Sequence, residues 1–169
     1  MNQFQIDLKA LKEGMNDLAL TVDDDFFRRF PESGLEHGSL RCDLSIQRID
    51  EVFEMKFHTV GEVTVSCDLC LDDMQQPIDT EDELMCRLGD EDSEDEDFVT
   101  VERENATLDV ARFIKEFIIL AIPIRHVHAP GKCNASMMNL IEQYSVSRRD
   151  VGDDEPVDPR WAALKKLKH

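Results

Sequence analysis

The chain has 169 residues, 41% hydrophobic and 33% charged, with a mean hydropathy of −0.39, enough for one folded domain with tails and too little for two full ones. Nineteen Lys and Arg stand against 37 Asp and Glu, and the resulting net charge of −18 repels phosphate backbones, which disfavours gripping nucleic acid by bulk electrostatics. The longest apolar run, Phe117 to Ile122, falls far short of the roughly 20 residues of a membrane-spanning helix.

The first residues lack the basic-then-apolar order of a secretory signal. With five cysteines, this predicts reduced thiols in a cytoplasm. Phe4, Ile6 and Leu8 alternate with polar residues as a half-buried strand does, and a second strand follows over Met15 to Val22. Asp23 to Asp25 can start a short helix, Asp25 to Phe30, which Pro31 and Gly34 close. Leu40, Cys42, Leu44 and Ile46 share one parity, and the alternation resumes from Val52 to Val65 after a connection at Asp50 and Glu51. Gln75 to Leu88 is expected to return beside that strand, with Pro77 at an edge or bulge.

Residues 89–97 carry seven acidic side chains and no apolar one, which reads as a solvated acidic loop. Phe98 to Val101 makes one more short strand. Leu108 to Ile122 has the strongest helical period, with Val110, Ile114, Phe117, Ile118 and Ala121 on one stripe, Asp109 as its cap and Pro123 as its stop. Asn134 to Tyr144 reads as a further helix with Met137, Leu140 and Ile141 inward. The expected fold is therefore α+β: a mainly antiparallel β meander or partly closed barrel with a packed amphipathic helix and C-terminal helices. Residues 1–144 form the domain, and 145–169 form a polar linker and a basic C-terminal helix.

Chemistry concentrates on Cys67 and Cys70, a C-x-x-C pair at the end of a strand. Four converging soft or borderline donors make a closed zinc site, and Cys133 with His128 or His126 can join the pair. Two other readings stand beside it: ordinary thiols at a strand end, or a cytoplasmic thiol-redox or metal-handling protein. Cys42 and Cys86 read as small hydrophobes. No nucleophile-base arrangement or phosphate-binding glycine loop stands out, and no small-molecule substrate is indicated, so the chain is read as a non-enzyme. At the C-terminus, Arg160, Lys165, Lys166 and Lys168 surround a stripe of Trp161, Leu164 and Leu167, an amphipathic helix suited to docking. It can fold onto the acidic body or reach RNA or a protein partner.

Three blocks in fixed order carry a resemblance: CDLC at Cys67 to Cys70, EFIILAIP at Glu116 to Pro123, and DPRWAALKKL at Asp158 to Leu167. In these the chain resembles the bacterial YceD family, over most of its length from about Gly14 onward. The resemblance implies a non-enzymatic accessory factor for accumulation of large-subunit ribosomal RNA, and hence for ribosome assembly. It also implies a mostly antiparallel β domain with helices. Many members of that family carry a second cysteine pair after the proline of the helix motif, completing a four-cysteine zinc site. Here that region reads PIRHVHAPGKCN, so Cys133 matches one of those cysteines and His128 stands in for another. Given the net charge, the expected partner is ribosomal RNA met locally through the C-terminal helix, or a basic ribosomal protein held by the acidic surface.

Overall fold

In a computed structural model, residues 3–89 and 98–145 are described, and the statements below concern these. The acidic stretch 90–97 and the C-terminal helix expected at 159–168, with Arg160, Trp161, Lys165, Lys166 and Lys168, lie outside them. Seven strands and three α-helices follow in the order β1 (Gln5–Asp7), β2 (Gly14–Val22), α1 (Asp24–Phe27), β3 (Gly38–Ile49), β4 (Val52–Ser66), β5 (Asp73–Gly89), β6 (Val99–Glu102), β7 (Thr107–Asp109), α2 (Ala111–Ala121) and α3 (Ala135–Tyr144). One compact unit runs from Met1 to Cys133; a second begins at Asn134 and contains α3. No helix is long and apolar enough to cross a membrane.

Strands β2, β3, β4 and β5 pair antiparallel in sequence order, as strict two-residue alternation and short connections favour. Inward residues such as Leu44, Ile46, Phe53, Met55 and Phe57 are fully buried, while Asp43, Lys56, His58, Glu81 and Glu83 lie on the solvated face. Gly61 is required by the pairing: a Cβ there would stand 2.2 Å from the Ser39 carbonyl oxygen. Pro77 faces no outer partner, because β6 pairs only with Cys86 to Gly89, so the expected edge position holds.

Several expectations need adjustment. The sheet is mainly antiparallel, as expected, but its last strand departs from the meander: β6 runs parallel to β5 with Cys86 opposite Val99. It is not a closed barrel: β2 and β6 stand at opposite ends of the strand order, and α2 and the β1–β7 pair supply core side chains in place of closure. The helix predicted from Leu108 starts at Ala111 instead, because Thr107 to Asp109 pair with β1, Leu108 lying opposite Ile6. Leu108 fits the helical stripe, but a ladder partner about a hundred residues away competes for its backbone. The N-cap is Val110 rather than Asp109; Asp109, one residue earlier, still accepts from the Ala111 N–H with its Oδ1 at 3.0 Å.

The short helix likewise begins earlier than predicted, at Asp24, with Asp23 Oδ1 accepting from the Phe26 N–H at 3.1 Å. Phe26 packs against Phe4, ring centroids 4.9 Å apart, and Phe57 against Phe117 of α2 at 5.3 Å. In α3, capped by Asn134, no residue is fully buried: of the three expected inward, Met137 and Ile141 are half-buried and Leu140 is exposed. An amphipathic stripe announces a face that can be covered, not that it is.

Candidate metal centre

β4 leaves the sheet at Ser66, and Cys67 follows at once in a tight turn. The Cys67 N–H donates to the Asp72 carbonyl and the Leu71 N–H to the Cys67 carbonyl, both at 2.9 Å, closing a knuckle before β5 begins. Leu71 takes φ 63°, the left-handed region, with its side chain in solvent. Both cysteines of the pair are buried, yet neither belongs to the main apolar core.

The other half of the site comes from the segment behind α2. Pro123 stops the helix, and Ala129 to Lys132 form a turn in which the Lys132 N–H donates to the Ala129 carbonyl at 2.9 Å. Pro130 presets φ at the second position and Gly131, at φ 79°, supplies the positive φ that a type II turn needs at the third. No atom lies within 4 Å of a Cβ built on Gly131, so its backbone conformation is what calls for glycine there. His128 and Cys133 flank this turn.

Asp68 joins the two halves. Its N–H donates to the His126 carbonyl at 2.9 Å and its Oδ2 accepts from the His126 N–H at 2.8 Å. These bonds bring the segment alongside the knuckle. Nothing in the sequence pairs position 68 with position 126, whereas the Pro130-Gly131 dipeptide is a turn signal from which the spacing of His128 and Cys133 is readable.

Cys67, Cys70, His128 and Cys133 converge, one donor atom from each lying within 4.8 Å of the others. Cys67 Sγ stands 3.9 Å from Cys133 Sγ, Cys70 Sγ 3.4 Å from His128 Nδ1, and Cys133 Sγ 3.9 Å from that nitrogen. Around a tetrahedral ion with metal–sulfur bonds of about 2.3 Å and metal–nitrogen bonds of about 2.0 Å, neighbouring sulfurs stand about 3.8 Å apart and sulfur and nitrogen about 3.5 Å. The group has the donor types and spacings to hold a metal ion. Of the two histidines left open by the sequence, His128 faces the group. His126 has Nδ1 3.0 Å from the Pro123 carbonyl oxygen and Nε2 3.7 Å from Asp68 Oδ1.

Burial pushes the Cys67 thiol up, but the N–H groups of Cys70, His128 and Leu69, with the His128 ring, outweigh it and bring the thiol down to about 6. Burial and then the neighbouring Cys67 and Cys70 thiols push Cys133 up to about 11. One sulfur takes negative charge readily and its neighbours oppose a second charge, which a cation would relieve. Cys42 and Cys86, by contrast, sit in the main core; burial raises both, Cys86 to about 12.

A family model described as the large ribosomal RNA subunit accumulation protein YceD matches residues 55–168, which include all four donors. The chain belongs to the YceD family. No curated protein and no solved structure gives a significant match. The family's description names large-subunit ribosomal RNA accumulation, and the match takes in the knuckle, α2 and the C-terminal block that carried the resemblance.

Proposed function

We propose that this YceD-family chain is a non-enzymatic accessory factor for large-subunit ribosomal RNA accumulation and ribosome assembly, with Cys67, Cys70, His128 and Cys133 holding a structural zinc ion. The family match over residues 55–168 supports the ribosomal RNA accumulation role, from which the assembly role is inferred. A set of three sulfurs and one imidazole supports a closed structural site, since four protein donors leave no position for a substrate. Zinc bound there would tie the knuckle to the segment behind α2, adding to the Asp68–His126 bonds.

RNA or a basic ribosomal protein would be met through Arg160, Trp161, Lys165, Lys166 and Lys168, because the rest of the chain is strongly acidic. Co-sedimentation with ribosomal precursors tests this. Deleting Pro159 to His169 weakens association more than neutralising the acidic residues of 90–97 does, and equal sedimentation of wild type and tail deletion would defeat the contact. Large-subunit ribosomal RNA that stays at its normal level in cells lacking the protein would defeat the assembly role itself.

A further inference from the structure

The thiols of the cluster differ in access and in neighbours. Cys67 and Cys70 are 0% and 2% exposed, whereas Cys133 is half-buried at the end of the Ala129 to Lys132 turn. The Cys133 sulfur has Cys67 Sγ 3.9 Å away, while Cys70 Sγ lies closest to an imidazole nitrogen, at 3.4 Å. Hydrogen bonds from the Asp68 N–H to the His126 carbonyl and from the His126 N–H to Asp68 Oδ2 hold the two segments side by side. A sulfur–sulfur bond of about 2.05 Å requires a further approach of roughly 2 Å, which a residue beside a surface turn can supply.

We propose that Cys133 is a site of reversible oxidation by hydroperoxides, and that its oxidation joins it to Cys67 in a disulfide. The Cys133 thiol passes its proton to the Cys67 sulfur 3.9 Å away, and the Cys133 sulfur gives an electron pair to one oxygen of hydrogen peroxide; the O–O bond breaks, the departing hydroxide leaves as water, and Cys133 becomes a sulfenic acid. The Cys67 sulfur then attacks the Cys133 sulfur, its proton leaves with the displaced hydroxide as a second water, and the S–S bond forms. In sum, two thiols and one hydrogen peroxide give one disulfide and two waters. The donor set falls from four to two, Cys70 and His128, while the new bond links the two segments that the four donors joined. The proposal rests on the thiol geometry, and it adds to the zinc reading a means of releasing the ion.

Full-length protein, first assayed for zinc as purified, is treated with hydrogen peroxide while released metal is read with a chromogenic chelator. Non-reduced peptide mapping with fragment sequencing then locates the bonds. The expected product is a Cys67–Cys133 crosslink in most chains, reversed by dithiothreitol, with Cys42 and Cys86 still free thiols and zinc released in step with the crosslink. A Cys67–Cys70 or Cys70–Cys133 bond as the main product, or Cys133 carried to sulfinic acid with no crosslink, would overturn the proposal. Zinc content before treatment reports separately on the zinc reading, because the crosslink is scored equally well on metal-free protein.

Discussion

Two pairs of buried cysteines hang from the same sheet and behave oppositely. Cys42 and Cys86 lie in the apolar core, where burial raises both thiols. Cys67 and Cys70 are as well hidden, but they sit on a knuckle where backbone N–H groups, an imidazole and a third thiol face them. Exposure alone does not distinguish the pairs. Dipoles and donors around the sulfur do: they draw the Cys67 thiol down to about 6, where burial alone would raise it.

The same contrast separates what holds each region together. The core is apolar burial, so Phe57→Ala, which removes a ring packed on Phe117, should cost about 4 kcal/mol in denaturant unfolding and leave metal content unchanged. The knuckle relies on its donors. With free zinc at about 100 times Kd, stripping the ion should cost about 2.7 kcal/mol, and Cys70→Ser should lose both the ion and that increment while Cys42→Ala keeps the ion. Thermal unfolding with metal analysis reads both changes. Metal loss from Phe57→Ala, or retention by Cys70→Ser, would erase the distinction.

A titration sharpens it further. In metal-free protein, thiolate absorbance from Cys67 should rise with a midpoint near pH 6 and be missing from Cys67→Ser, while Cys86, held at about 12, stays protonated at neutral pH. The Cys67 value lies below the ordinary thiol value of about 8.5, so its contribution to stability is fully present above that value and is lost as pH falls through about 6. Metal should leave in the same direction, since protons compete for the sulfurs. The smallest effect belongs to the turn: Gly131→Ala places a Cβ at φ 79° and should cost about 1 kcal/mol, read as a small fall in Tm, with weaker metal affinity.

The antiparallel run β2 to β5 was legible because Leu40 to Ile46 and Phe53 to Phe57 alternate strictly, and alternation is a local property. The α2 stripe and its Pro123 stop were legible for the same reason, as were Cys67, Cys70 and Cys133 as candidate donors. What the sequence by itself determined was thus the periodic elements, the acidic balance and the family, each written in neighbouring residues or short blocks. Tertiary structure alone decided that Thr107 to Asp109 join β1, that β6 lies parallel, and that His128 rather than His126 meets the thiols. Those outcomes depend on partners distant in the chain, and the Asp68 bonds to His126 show how. They commit one histidine's backbone to holding the segment in place, and the histidine two residues on, His128, reaches the sulfurs.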